Sequence, residues 1–434
     1  MRDLLIATIV FGLLPFVFKR PFWGILLMAW LGYMNPHQLC YGFMVAMPVV
    51  QIVFIVTLIG MLMSNEVVRM VWSREIILLV ILICWMGITT TQAFFYDAAA
   101  TQYLKVIKIQ IITVMTLLML TSVERVRLFV WIIVLSLGFF GVKGGLFTIL
   151  NGGAYRVQGP PTSFIAGNNE LALALVMTIP LMRYLQIHET KALIKKGLMA
   201  AMVLTAVAAI GSQSRGALVA LSLTGAIFWL KGRNKLMTGL IMIIGALAIV
   251  SIMPSSWSER MGTINTYDQD ASALGRLNAW ATGWNVATDR FFGGGFEMFR
   301  DSIFERYAPD PAFVVDVHSI YFQMLGHHGF VGLFMFLGLL VLTWLKCGTV
   351  IRLAKKNPGL LWAQDLASMI QVSLIAYMTA GAFLGLAYFD YFYHLIALVV
   401  VLHHLVKAPV AMPAAPSSPE LSRATSGVNL GARR

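Results

Sequence analysis

Arg215 lies in a short polar segment, Gly211-Ser-Gln-Ser-Arg-Gly216, between two apolar runs. An arginine directly before a helix can act with the free N–H groups and the positive end of that helix to bind an anion such as phosphate. The alternative is an interfacial arginine whose side chain extends into the water. Because the connections on this side of the bundle are poor in Lys and Arg, the pattern favours an anion-binding role.

A second arginine, Arg276, is followed by Trp280 and Trp284 at helical spacing. Residues four apart share one face of a helix, so this arginine and both tryptophans are predicted to project together. Tryptophan favours the depth at which a membrane meets water, and the face could lie there. The triplet Gly293-Gly294-Gly295 predicts the end of this helix and is only weak evidence for a phosphate-binding loop.

His318 and Tyr321 stand three residues apart just before a predicted helix, so both could face one site. Imidazole is suited to proton transfer at neutral pH. A single histidine is more often structural, but the position of His318 at a membrane boundary favours catalysis. His327 and His328 follow at a spacing that matches no common zinc site, and we predict neither a metal nor a cofactor.

The segment 151–170 supplies another candidate group. Its glycines and prolines predict a structured turn, and Arg156 adds a cation. Asn168, Asn169 and Glu170 then open the next helix. Helix capping accounts for these three residues about as well as ligand binding does, so both interpretations stay open.

Lys105 and Lys108 lie near the predicted outer end of an apolar run. They break the usual trend that places basic residues on the cytoplasmic side, which suggests an anionic partner. Together with Arg156, Arg215 and Arg276 they are predicted to form one cationic rim. Such a rim suits a diphosphate, which carries several negative charges.

The composition predicts the elements that must position these residues. The chain has 434 residues, of which 59% are hydrophobic and 12% charged, with a mean hydropathy of +0.80. Soluble domains carry roughly 25% charged residues, so a soluble protein is excluded. Long apolar runs predict membrane-spanning helices, whereas a β-barrel would show a period of two. The net charge of +13 is spread over short clusters between these runs, which indicates membrane topology rather than nucleic-acid binding.

The first two apolar runs are short and are separated by Lys19-Arg20-Pro21. Taken as one broken crossing, they give about twelve transmembrane helices, the count we favour; taken as two, they give thirteen. The fold class is thus all-α and polytopic. The predicted runs are Leu4–Phe18, Phe22–Met34, Phe43–Met63, Ile76–Phe95, Leu104–Leu120, Leu128–Leu150, Leu171–Leu185, Leu198–Ile210, Ala217–Leu230, Leu236–Met253, Phe330–Leu345, Met369–Leu386 and Phe392–Val406.

Basic connections alternate with connections poor in Lys and Arg, which predicts that the basic set is cytoplasmic and the other set faces outward. The longest outward segment, 254–329, holds nine of the 19 acidic residues and is predicted to form a cap. The predicted division is therefore N-terminal transmembrane helices (1–253), the outward loop or cap (254–329), C-terminal transmembrane helices (330–406) and a disordered cytoplasmic tail (407–434).

The arrangement of these parts resembles the O-antigen ligase family. The resemblance rests on about twelve helices, a long outward loop late in the chain, and three short motifs: Ser214-Arg215-Gly216-Ala217, Gly275-Arg276 and His318-Ser-Ile-Tyr321. The opening Met1-Arg2-Asp3-Leu4-Leu5 and the stretch Tyr33-Met34-Asn35-Pro36-His37 resemble the branch of O-glycosylation ligases.

The resemblance implies a glycosyltransferase of the GT-C type in the bacterial inner membrane, with its active site at the periplasmic face. Such an enzyme moves a glycan from undecaprenyl diphosphate to lipid A–core in lipopolysaccharide biosynthesis. By resemblance, Arg215 and Arg276 would engage the diphosphate and His318 would act at the acceptor hydroxyl. An O-antigen polymerase or a protein O-oligosaccharyltransferase would share this layout. A secondary transporter of an anionic solute is a more distant alternative, because transporters keep charges near the membrane midplane and often show repeated halves.

Overall fold

The computed structural model describes residues 1–64, 70–231, 235–262 and 271–407. These residues form helices and turns without any strand, so the all-α prediction is confirmed for the described chain. The predicted tail lies almost wholly outside the described residues.

The α-helices are α1 (Arg2–Lys19), α2 (Pro21–Tyr33), α3 (Val49–Met63), α4 (Arg74–Thr91), α5 (Tyr96–Met119), α6 (Val123–Leu150), α7 (Asn168–His188), α8 (Ala192–Gly211), α9 (Arg215–Lys231), α10 (Lys235–Ile252), α11 (Ser255–Gly262), α12 (Ala271–Asp289), α13 (Asp301–Tyr307), α14 (Ile320–Ala354), α15 (Leu361–Gly381) and α16 (Asp390–Lys407).

Within the described ranges, seven helices are long and apolar enough to cross a membrane. They are α4, α5, α6, α7, α8, α14 and α15 with its preceding turn, and α2, α3 and α9 are shorter apolar helices. Large apolar side chains such as Ile77, Leu135 and Phe334 point outward on the bundle, where lipid would cover them. The chain is therefore a multi-pass membrane protein, while the count of about twelve crossings stays a prediction.

Two helices form the centre of the bundle. Every residue from 171 to 182 in α7 and from 391 to 402 in α16 is buried. A helix that is apolar on all sides must be surrounded by neighbours. α7 packs against α6, α8, α9 and α15, and α16 packs against α5, α14 and α15. The start of α7, at Asn168, is therefore held in place by the packed core beneath it.

The two short runs at the N-terminus form a hairpin. Arg20 leaves the helical conformation between α1 and α2. The carboxylate of Asp3, at the start of α1, accepts hydrogen bonds from the N–H groups of Gly42 and Met44, at 3.0 and 3.2 Å, beyond the end of α2. The two helices α1 and α2 therefore run in opposite directions, side by side. This hairpin differs from the single broken crossing that we favoured from the sequence, and the number of membrane crossings stays a prediction.

The described part of the predicted outward segment 254–329 is largely helical. It contains α11, α12 and α13, and α14 begins within it at Ile320, before the predicted start at Phe330. α14 continues through a kink at Gly329, whose φ of 66° is left-handed. The prediction placed residues 320–328 in the outward segment, yet they form the first turns of α14, and His327 and His328 are buried.

These histidines belong to a buried polar network. The Tyr388 hydroxyl lies 2.9 Å from His327 Nδ1 and 2.8 Å from His328 Nε2, and Thr89 Oγ1 lies 2.6 Å from His328 Nδ1. Burial raises the pKa of the Tyr388 phenol well above its usual value, so this hydroxyl keeps its proton. Across the described ranges, no group of three or more His, Cys, Asp or Glu side chains is placed to hold a metal ion.

The triplet Gly293–Gly295 packs against the first turns of α14. Gly294 N–H donates to the Gly326 carbonyl at 2.8 Å, and Gly295 N–H donates to the His327 carbonyl at 2.9 Å. A Cβ atom on Gly293 would lie only 2.6 Å from the backbone nitrogen of Gly329. The glycines therefore follow the end of α12 as predicted, and they allow two backbones to approach closely.

Candidate active site

A cavity of about 290 Å³, here called the first cavity, opens where several predicted outward segments meet. Three helices begin at its wall: α7 contributes Asn169, α9 contributes Arg215, and α12 contributes Ser272 and Arg276. The first N–H groups of a helix have no partner within it, and its N-terminal end carries a partial positive charge. Three such ends beside one cavity favour an anionic ligand.

Arg215 is the first residue of α9. The Ser214 hydroxyl caps the helix by accepting from Ala217 N–H at 3.3 Å, and the Ser212 hydroxyl accepts from Ser214 N–H at 3.2 Å. Gln213 between them has a φ of 59°, a left-handed conformation that few side chains adopt. This tight turn explains how a short polar segment places Arg215 at the cavity without a longer loop.

Arg276 reaches the same cavity from α12, on the helix face that the spacing predicted. Ser272, Arg276 and Trp280 all line the wall. The Trp280 indole N–H donates to the Val317 carbonyl at 2.8 Å, and its ring stacks on Phe322 with 5.0 Å between centroids. Trp280 is therefore fixed in orientation between α12 and α14. Trp284, one turn further, is half exposed and packs edge-on against Phe330.

The segment before α7 is tied to the turn before α9. Arg156 Nε donates to Gln213 Oε1 at 3.4 Å, and Asn168 Nδ2 donates to the Ser212 carbonyl at 2.8 Å. The Glu170 carboxylate lies against Gly167 at the start of α7. Arg156 thus contacts Gln213 of the wall, Asn168 contacts the neighbouring Ser212, and Asn169 lines the cavity itself.

His318 lies directly after Val317, the residue that accepts the hydrogen bond from Trp280. It is half-buried, and its φ of 40° is left-handed, which is uncommon and costly for a residue with a side chain. His318 is not among the described residues that line the cavity. Tyr321 is turned toward α15, where its hydroxyl donates to the Met378 carbonyl at 2.9 Å. The two side chains predicted to share a face therefore have different surroundings.

Lys105 and Lys108 lie apart from this arrangement. Both are exposed on α5, which packs against α2, α4 and α16. Neither belongs to the described lining of the first cavity. Of the five cations predicted to form one rim, the structure brings Arg215 and Arg276 to the cavity and Arg156 to its edge.

Part of the wall was not expected from the sequence. Phe383 and Leu384 line the cavity. The apolar pattern extended the preceding run to Leu386, but α15 ends at Gly381 and leaves these residues in a turn. The closely spaced Gly381 and Gly385 were an available sign that the helix ends there, because glycine commonly follows a helix end.

The wall combines positive charge with apolar surface. Arg215 and Arg276 supply the charge, and Val219, Leu277 and Trp280 supply part of the apolar surface. A guanidinium group presents paired donors that match two phosphate oxygens at once. The cavity is therefore suited to a ligand that has both a phosphate group and an apolar portion.

Comparison with known families identifies the part of the chain that carries these residues. Residues 200–337 match the family described as O-antigen ligase, and residues 1–190 match a family of unknown function. A comparison with curated proteins found no match. The ligase match contains Arg215, Arg276 and His318, so the resemblance inferred from these motifs is confirmed. The chain is a multi-pass membrane protein, and its residues 200–337 form a domain that matches the O-antigen ligase family.

Proposed function

We propose that the protein is an O-antigen ligase that transfers a glycan from undecaprenyl diphosphate to a hydroxyl group of lipid A–core. The observation that most directly supports this proposal is the presence of Arg215 and Arg276, from two separate helices, at one cavity. The O-antigen ligase match over the same residues supports glycan transfer in general terms. The proposed location is the bacterial inner membrane, with the first cavity facing the periplasm.

In this proposal the diphosphate binds between Arg215, Arg276 and the N-terminal end of α9. Charge-assisted hydrogen bonds of this kind contribute about 1.5–3 kcal/mol each. They matter most when the bond to the sugar breaks, because negative charge then develops on the departing diphosphate oxygen. The two arginines would thus stabilise the transition state more than the bound donor.

The polyprenyl chain has a route away from the cavity. Val219 lines the wall and is 44% exposed, and Leu223, one turn further along α9, is 41% exposed. Leu277 on α12 is similarly exposed. These side chains continue the apolar wall toward the lipid-facing surface, which supports a donor that is anchored by an apolar tail.

The proposed reaction is a single displacement at the anomeric carbon. The acceptor oxygen forms a bond to this carbon while the bond to the diphosphate oxygen breaks, and the configuration inverts. The electron pair of the broken bond stays on the diphosphate. His318 accepts the proton of the attacking hydroxyl, a step for which imidazole is suited. The lipid diphosphate is already an activated donor, so the proposal includes neither a metal nor a cofactor.

The residues around His318 support its proposed role. It follows Val317, which holds Trp280 at the cavity wall, so the histidine lies at the edge of the proposed donor site. Its left-handed backbone is the kind of strain that accumulates at functional sites. We propose that the acceptor binds between His318 and the cavity, with Asn169 as a further binding residue. Trp284 and Tyr321 stand outside the lining and are proposed to support the walls.

Reconstitution with defined substrates tests the proposal. The purified protein is incubated in liposomes with an undecaprenyl diphosphate-linked glycan and one of three acceptors: lipid A–core, a second lipid-linked repeat, or an acceptor protein. Transfer to lipid A–core, unchanged by a chelator, is expected. Preferred transfer to the second or third acceptor would instead identify an O-antigen polymerase or a protein O-oligosaccharyltransferase. Loss of activity with the chelator would contradict metal independence.

The same liposomes address the transporter alternative. A transporter would move an anionic solute across the membrane without consuming the lipid-linked donor. We expect donor consumption that depends on acceptor and no accompanying solute flux. Flux without donor consumption would refute the transferase proposal.

A further inference from the structure

A second cavity, of about 490 Å³, lies between α4, α14 and α16. Arg74 of α4, Lys346 of α14 and Lys407 of α16 line it. α14 connects the two cavities: Phe322, near its start, stacks on Trp280 of the first cavity, and Lys346 lies about 36 Å further along at 1.5 Å per residue. The second cavity is thus at the opposite end of the bundle, where the predicted cytoplasmic loops lie.

An ion pair organises the wall of the second cavity. Lys346 Nζ lies 2.6 Å from Glu75 Oε2, and the two side chains are only 13% and 3% exposed. A buried carboxylate of this kind requires a close cation, so Lys346 and Glu75 balance each other. Arg74 and Lys407 then leave an excess of positive charge in the described lining. The start of α4, capped by Ser73, adds its positive helix end.

The second cavity also has an apolar border. Trp72 and Leu345 line it and are 65% and 58% exposed. Val341, one turn before Leu345 on α14, is 56% exposed. A charged cavity that continues into exposed apolar side chains matches a molecule with an anionic head and apolar chains. A free phosphate ion would gain nothing from this border.

We propose that the second cavity binds the phosphate-bearing headgroup of an anionic phospholipid, whose acyl chains lie along α14. The headgroup phosphate would contact Arg74 and Lys407, while Trp72 stays at the boundary between headgroups and acyl chains. The bound lipid would fill the space between α4, α14 and α16. This role is independent of glycan transfer, which takes place at the other end of the bundle.

Native mass spectrometry of the delipidated protein in detergent tests this assignment. Phosphatidylglycerol and phosphatidylcholine with the same acyl chains are titrated separately, and phosphatidylglycerol is expected to bind more tightly. The double substitution Arg74→Gln and Lys407→Gln is expected to weaken phosphatidylglycerol binding about 30-fold, since each cation near a phosphate contributes on the order of a fivefold change. Lys346 and Glu75 are left in place so that no buried charge loses its partner.

Lys196→Gln is the control. Lys196 is exposed on α8, and its substitution removes one cation from the same predicted cytoplasmic side of the bundle. It should leave phosphatidylglycerol binding unchanged. Equal binding of the two lipids by the unaltered protein, or equal phosphatidylglycerol binding by the double variant, would overturn the proposal. If the double variant does not fold, Arg74→Gln alone is compared with Lys196→Gln.

Inorganic phosphate distinguishes a lipid site from a site for a free anion. Phosphate is titrated into the delipidated protein while the melting temperature is recorded, and the same is done with phosphatidylglycerol. Only the lipid is expected to raise the melting temperature at micromolar concentration. An equal increase with phosphate alone would overturn the lipid assignment.

Discussion

The two cavities at opposite ends of the bundle use positive charge in different ways. In the first cavity, Arg215 and Arg276 stand at or near the starts of helices and face a space that is partly apolar. In the second, Lys346 is held by the buried Glu75 at 2.6 Å. A guanidinium group offers a fork of donors to a phosphate, whereas an ammonium group acts as a single charge.

The two arginines of the first cavity are proposed to act on an anionic substrate, whereas Lys346 of the second cavity balances a buried carboxylate of the protein itself. Removal of an arginine from the first cavity should lower activity without a large loss of stability, because both arginines are partly accessible. Removal of Lys346 should lower stability, because Glu75 would remain buried without its partner.

The largest expected effect is the loss of glycan transfer when Arg215 or Arg276 of the first cavity is replaced. Arg215→Ala and Arg276→Ala should each lower kcat/KM for glycan transfer about 10³-fold, since each removes donors that are proposed to stabilise the departing diphosphate. Transfer is measured with purified protein and a labelled donor. Arg306→Ala is the control, because Arg306 is 69% exposed in the same outward segment. Activity of either cavity variant within a few-fold of the control would contradict the assignment.

The second prediction concerns the stability that the Lys346–Glu75 ion pair contributes in the second cavity. Lys346→Ala should destabilise the protein by about 3 kcal/mol, because it leaves a buried carboxylate without a cation. The double substitution Lys346→Met and Glu75→Met should restore most of this loss. The unfolding midpoint in detergent is measured for both variants. A Lys346→Ala protein as stable as the unaltered chain would show that the ion pair has no structural role.

The third prediction tests the proposed proton acceptor. His318→Asn should lower kcat about 10²-fold, since general base catalysis contributes at least this much. Asparagine is chosen because it tolerates the left-handed backbone at this position better than most residues. An unchanged melting temperature would show that the loss is chemical. Full activity of His318→Asn would remove His318 from the mechanism.

A smaller effect, on stability, is expected when the buried polar network of Tyr388, His327 and His328 is altered. Tyr388→Phe removes the hydroxyl that contacts His327 and His328 at 2.9 and 2.8 Å. The cost should be about 1–3 kcal/mol, because buried imidazole nitrogens lose a partner. Tyr155→Phe, on a tyrosine that is 64% exposed, is the matched control. Equal melting temperatures for the two variants would show that the network does not stabilise the fold.

The smallest effect is expected for the lysines that lie away from the first cavity. Lys105→Ala and Lys108→Ala should change kcat/KM less than about twofold, since surface substitutions away from a site are nearly neutral. Both side chains are exposed on α5. A loss comparable to that of Arg215→Ala would show that the donor extends to α5, as the sequence predicted.

The helices and the common face of Arg276 and Trp280 could be predicted from the sequence, because they depend on residues that are close together along the chain. Apolar runs indicate helices because backbone polar groups must be paired within the membrane. The spacing of Arg276 and Trp280 fixes their common face on α12. The polar segment Gly211–Gly216 indicates where one helix ends and the next begins, because it interrupts two apolar runs. These features depend only on neighbours along the chain.

The remaining features depend on contacts between distant segments. The α1–α2 hairpin is visible only once Asp3 is seen to bind Gly42 and Met44. The early start of α14 depends on partners of His327 and His328 that come from α4 and from the turn before α16. No local pattern indicates which helix ends meet.

The central claim is that Arg215 and Arg276 bind one diphosphate, and a double-mutant cycle tests it most directly. Transfer of a lipid-linked glycan is measured for Arg215→Ala, Arg276→Ala and the double variant under identical conditions. Two residues that contact one group are expected to be coupled, so the double variant should lose less than the two single losses combined, by about 0.5–3 kcal/mol. Losses that add fully, or no loss at all, would contradict a shared diphosphate site.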